Sequence, residues 1–169
     1  MIDTEIWSIA KKKPLASNFS SQEDYLKALR MHEEALKFFR EKFPELEVYI
    51  STHQIGEIYH VLAFRGTKVP KEEAKKIVWA ILEDDKIIKV PLLPGHLKDA
   101  LEESAKTGIH IWDYLCFLPV KDYIDVVFSC DIHFQKHWSR IKCRGDKSSW
   151  RLIFLVICFE RFIFAGFLS

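Results

Sequence analysis

The fold is decided by residues 48–66, Val48-Tyr-Ile-Ser-Thr52-His-Gln-Ile-Gly-Glu57-Ile-Tyr-His-Val-Leu62-Ala-Phe-Arg-Gly66. Val48-Tyr49-Ile50 is β-branched and aromatic and too short for a helix, so it reads as a buried strand. Ile55, Ile58, Tyr59, Leu62 and Ala63 follow at i, i+3, i+4, i+7 and i+8, a stripe that only a helix gathers on one face. Thr52 is placed to cap that helix, and Arg65-Gly66 ends it.

The same alternation continues outward. Ser20–Phe43 opens on Ser-Ser-Gln-Glu, a capping-box pattern in which a serine hydroxyl and the Glu23 carboxylate satisfy free amides. Tyr25, Leu29, Leu36, Phe39 and Phe43 then give one apolar face. Pro70 at a first turn and Ala74, Ile77, Val78, Ile81 and Leu82 predict a further helix, and Ile87–Val90 the next strand. Leu97, Ala100, Leu101 and Ala105 form a helix stopped by Gly108. Another starts near Trp112-Asp113 and runs towards Tyr123, with Pro119 set against its later part. Ile124–Phe128 reads as a strand, and a short helix is expected around Phe134–Trp138.

Strands that are apolar throughout, alternating with amphipathic helices, indicate a parallel sheet covered on both faces. The expected class is therefore α/β, a three-layer α/β/α sandwich with a mainly parallel central sheet, over residues 1–145. Residues 146–169 are an apolar C-terminal tail.

Composition excludes several alternatives. The 169 residues are 49% hydrophobic, with a formal net charge of +1, which argues against disorder, collagen-like repeats and a disulfide mini-scaffold. A chain of this length buries a full core without a structural metal. Cysteines at 116, 130, 143 and 158 form no CxxC pair, and the N-terminus has no secretory pattern, so a cytoplasmic protein without structural zinc is expected.

In a parallel sheet the carboxyl edge collects strand C-termini and helix N-termini, and ligand sites form there. Asp3 ends the first strand, Asp131 lies just past Ile124–Phe128, and Asp113 lies near the start of the helix leading back into that strand. Glu57 is about 8 Å along its helix from Thr52, still near the same edge. Carboxylates gathered so closely repel unless some are protonated or a cation lies between them. Oxygen-only ligands suit Mg²⁺ or Mn²⁺, and such a cage commonly hydrolyses phosphodiesters by activating water.

Met1-Ile-Asp-Thr4, Ser51-Thr-His-Gln-Ile-Gly-Glu57-Ile-Tyr-His-Val-Leu62, Gly108-Ile-His-Ile-Trp-Asp113 and Phe128-Ser-Cys-Asp131-Ile-His-Phe134 resemble, in order and spacing, the motifs of PIN domains. The resemblance spans roughly residues 1–140 and is nearest to the VapC-type toxins. It implies a Mg²⁺- or Mn²⁺-dependent endoribonuclease, usually a homodimer, held inactive by a VapB-type antitoxin. By motif, Asp3, Glu57, Asp113 and Asp131 are the catalytic, metal-binding acids, with Thr4 and Ser129 as supporting hydroxyls. The alternatives are a catalytically degenerate PIN-like module that binds RNA or antitoxin, and a DNA or flap nuclease on the same fold. Only Met1 and Ile2 precede Asp3, a shorter first strand than the family has.

Other features read more plainly. Glu83, Asp84, Asp85, Glu102 and Glu103 are expected as solvated surface acids, Glu5 as a surface acid in preference to an additional acid at the site, and Lys11–Lys13 as a solvated run. His133 and His137 have a metal-compatible spacing but no third nitrogen or sulfur ligand nearby, so they read as surface or RNA-facing. The basic segment through Lys136, Arg140, Lys142 and Arg144, interleaved with Trp138 and Trp150, suits RNA contact or a solvated connector equally. Leu152–Ser169 is almost wholly apolar but broken by Glu160-Arg161. Burial against the domain or a partner, or an aberrant end, is favoured over a membrane span.

Overall fold

A computed structural model describes residues 1–130 and 153–156. The expected helix at Phe134–Trp138, the acid Asp131 and the basic segment from Lys136 to Arg144 lie outside the described residues. Six α-helices are described: α1 (Thr4–Lys11), α2 (Gln22–Glu41), α3 (Thr52–Phe64), α4 (Lys71–Glu83), α5 (Pro94–Thr107) and α6 (Ile111–Phe117), with short 3-10 turns at Ala16–Asn18 and Phe43–Glu45. Four strands accompany them, β1 (Val48–Ser51), β2 (Ile87–Val90), β3 (Val126–Ser129) and β4 (Ile153–Val156).

All described strand pairing is parallel. β1 pairs with β2, Val48 opposite Ile87, and β3 pairs with β4, Val126 opposite Ile153. The short first strand joins β3 through a bridge between Ile2 and Phe128. Asp3 N donates to Phe128 O at 2.8 Å, and Phe128 N to Met1 O at 3.0 Å. Two residues before Asp3 are therefore enough to dock it. The parallel sheet is divided into two ladders, with a cleft of about 260 Å³ between them lined by Ile2, Val48, Tyr49, Tyr123 and Val126 among others. The Gln54 side chain spans the division, its Nε2 donating to Ile2 O at 2.8 Å.

The strands are apolar on both faces because they feed two cores. Ile2, Val48, Ile50 and Ile87 pack with Ile6 and Trp7 of α1, Phe38 of α2, Ile55, Ile58 and Leu62 of α3, and Ile81 of α4. Met1 and Val127 pack with Ala100 of α5 and Tyr114, Leu115 and Phe117 of α6, joined at the margin by Tyr49 and Val90. Neighbouring strand residues thus alternate between α1–α4 on one side and α5–α6 on the other, which is the expected three-layer α/β/α sandwich.

Several local expectations shift. Ser21, not Ser20, caps α2, accepting from Asp24 N at 3.1 Å, so Asp24 replaces Glu23 as the partner of the capping serine. Ser51 caps α3, accepting from Gln54 N at 3.1 Å, while Thr52 is the first helical residue and its hydroxyl accepts from Leu92 N. Gly108 ends α5 with φ of 73°, a left-handed conformation that glycine adopts without strain. α6 stops at Phe117, two residues before Pro119. Lys12 is not a solvated lysine: its ammonium donates to Val61 O and Arg65 O, both at 2.6 Å, tying α1 to the C-terminus of α3, where a cation complements the helix dipole. Of the apolar tail, Ile153–Val156 lies in the sheet. Among the described residues, no helix is long and apolar enough to cross a membrane.

Candidate active site

The candidate site is assembled from four junctions at the carboxyl edge. Asp3 stands where the first strand passes into α1, at the N-cap position, yet its side chain caps nothing. It accepts instead from Ser129 Oγ, at the end of β3, at 2.5 Å. Thr4 Oγ1 donates to Glu57 Oε2 at 2.6 Å, and Cys116 Sγ donates to the same oxygen at 3.2 Å. Each hydroxyl therefore serves an acid carried by another element: Ser129 of β3 holds Asp3, and Thr4 of α1 holds Glu57 of α3. Asp113 is half-buried in the first turn of α6, which packs on α3.

The electrostatics follow from that crowding. Burial pushes the Asp3 carboxyl up from its ordinary 3.8 to about 7, the Ser129 hydrogen bond opposing, and Glu5, Asp113 and Glu57 adding like-charge repulsion. The Cys116 thiol is raised by burial, and Glu57, Asp3 and Asp113 push it further in the same direction. Asp3 thus feels Glu57 and Asp113 as negative neighbours. Glu5 is exposed but close enough to Asp3 to contribute to the same field.

Asp3, Thr4, Glu57, Asp113 and Ser129 are therefore brought to one region of the fold. Asp131 and the suggested RNA-contact residues Lys136, Arg140, Lys142 and Arg144 lie outside the described residues. Three participants were not anticipated as such. Ser51 and Gln54 are both fully buried, and Gln54 Nε2 also reaches Thr4 Oγ1 at 3.4 Å. The Ser51-x-x-Gln54 spacing, a capping-box signature, was the available signal. Cys116 lies three residues past Asp113, on the same helix face, and that spacing could have marked it.

The donor set suits a hard divalent cation: Asp3, Glu57 and Asp113 offer carboxylate oxygens, and a positive charge would offset the burial and the added repulsion that raise Asp3. Among the described residues, no three His, Cys, Asp or Glu side chains are gathered closely enough to hold a metal as they stand. Thr4 and Ser129 hold one oxygen each of Glu57 and Asp3.

The parallel α/β/α sandwich with acids at its carboxyl edge is consistent with the fold that the resemblance to PIN domains implies. Among solved structures, the fold is similar to that of Mycobacterium tuberculosis VapC20, described as a sarcin-ricin loop cleaving toxin, with a TM-score of 0.53 and 18% identity. The likeness covers 75% of this chain and 85% of that one, and at this identity it is a likeness of fold. No protein-family model matches the chain, and no curated protein matches it.

Proposed function

We propose that the protein is a Mg²⁺- or Mn²⁺-dependent endoribonuclease of the VapC type, the toxin partner of a VapB-type antitoxin, acting in the cytoplasm as a homodimer. The observation that carries this reading is the gathering of Asp3, Glu57 and Asp113 at one edge of a PIN-like fold, where burial, with like-charge repulsion from Asp113 and Glu57 added to it, raises the Asp3 carboxyl to about 7. A surface acid with no task at the site would be better placed apart from its neighbours.

In this reading Asp3, Glu57 and Asp113, with Asp131, hold the divalent cation, which supplies Lewis acidity and charge neutralisation when bound. The chain's own residues set the stage. Ser129 orients Asp3 through one oxygen, and Thr4 and Cys116 together fix Glu57 Oε2, so each carboxylate keeps its second oxygen directed by a hydrogen bond to the first. Lys136, Arg140, Lys142 and Arg144 follow Asp131 in the chain and supply positive charge for phosphates on either side of the scissile bond.

Asp113→Asn preserves size and hydrogen-bonding capacity but removes a negative charge. Cleavage of single-stranded RNA is expected to fall to background in this variant, with its circular dichroism unchanged, and to vanish from the wild type on chelation. RNA cleavage by Asp113→Asn at the wild-type rate would overturn the site. Parallel assays on single-stranded and flapped DNA separate ribonuclease from deoxyribonuclease activity.

A further inference from the structure

Beside the acids runs an aromatic stack to which the hydrolytic chemistry assigns no task. His53 lies one helical turn before Glu57 on α3, and Trp112 immediately precedes Asp113 on α6. Their rings lie nearly parallel, at 8°, with centroids 4.8 Å apart. His110, which caps α6 by accepting from Trp112 N through Nδ1, sets its own ring 6.2 Å from the same indole at 19°. The stack therefore links the two helices that carry Glu57 and Asp113.

Trp112 is held by these neighbours and still 49% exposed. A flat ring with its orientation already fixed loses little freedom when another flat group settles on it. His53 Nε2 is buried without a hydrogen-bond partner among the described residues, and burial disfavours the charged imidazolium, with Glu57 opposing in part. The ring thus backs the indole mainly as a planar apolar surface.

An uncharged contact complements the basic segment proposed for the phosphates, because a net charge of +1 gives no global attraction for a polyanion and the acids themselves repel phosphate. Stacking on an aromatic face is indifferent to that repulsion and tolerant of base identity.

We infer that Trp112, backed by His53 and flanked by His110, is a stacking subsite for an RNA nucleobase adjoining the phosphodiester at Asp3, Glu57 and Asp113. This inference rests on the nuclease reading of the same site. It makes Trp112 a binding residue that positions the strand, with no part in moving protons.

The test is equilibrium binding of a labelled single-stranded RNA oligonucleotide to the full chain in chelator, read by fluorescence anisotropy, so that cleavage does not intervene. Trp112→Ala is expected to weaken binding by about tenfold or more, the range of one lost base stack, whereas Trp112→Phe retains most of the affinity. On the wild-type chain, scanning one abasic nucleotide along the oligonucleotide should locate a single position whose loss weakens binding comparably. That arm needs no variant and stands even where Trp112→Ala fails to fold. Trp112→Ala binding RNA as tightly as wild type, or an abasic scan with no sensitive position, overturns the subsite. RNA that binds in this way but is never cleaved on adding Mn²⁺ overturns the nuclease reading and leaves base stacking standing, so the two failures are distinct.

Discussion

Asp3 is where the chain's local chemistry is most visible. Its carboxyl ionises near 3.8 in the unfolded chain and near 7 in the folded one, because burial and the acids around it disfavour the anion. The folded state therefore binds more protons than the unfolded state between those values. For a raised carboxylate this means that the contribution to stability falls as pH rises through the window, with the full penalty present above about 7. The Met1 amino group is lowered by burial to about 5 and acts oppositely over part of the same range. The informative quantity is thus the difference between wild type and Asp3→Asn, in which the amino group is common to both. In chelator, urea unfolding should show Asp3→Asn gaining stability relative to wild type as pH rises from 4.5 to 7.5. A pH-independent difference would show that Asp3 is not under this strain.

At the scale of elements, the α/β pattern was legible because apolar strands must feed two cores, and Val48-Tyr49-Ile50 does so, with Val48 and Ile50 on one side and Tyr49 on the other. Helix starts were legible only to within a residue. Ser20 and Ser21, and Ser51 and Thr52, are adjacent residues of equal capping chemistry, so spacing alone leaves the cap open by one residue. Thr52 was released to meet Leu92 N because Ser51 had taken the cap. α1 went unread because its buried Ile6, Trp7 and Ala10 span little more than one turn of repeat, short of a recognisable period. The cap is testable: Ser51→Ala leaves Gln54 N without its partner at a fully buried position and should cost about 0.5–2 kcal/mol in denaturant unfolding. Thr52→Ala, at an exposed residue that is not the cap, should cost less. The reverse order would return the cap to Thr52.

The whole molecule shows what periodicity leaves open. Leu97, Ala100 and Leu101 share an α5 stripe, as their spacing requires, but spacing does not say which side of a helix meets the core. Ala100 is fully buried, while Leu93, Leu97 and Leu101 stand 52%, 42% and 54% exposed at i, i+4 and i+8. A row of leucines left in water along one helix is the kind of surface that a second copy covers, because burying it recovers roughly 25 cal/mol per Å² of apolar area. An isologous contact would place each α5 against its own counterpart. The expected result is that the 19.9 kDa chain sediments as a dimer at micromolar concentration. Leu97→Asp/Leu101→Asp should give the monomer mass with an unchanged circular dichroism spectrum, since both side chains already face solvent and their replacement removes nothing from either core. A wild-type monomer at those concentrations, or a double variant that remains dimeric, would show that α5 is not the surface through which two copies meet.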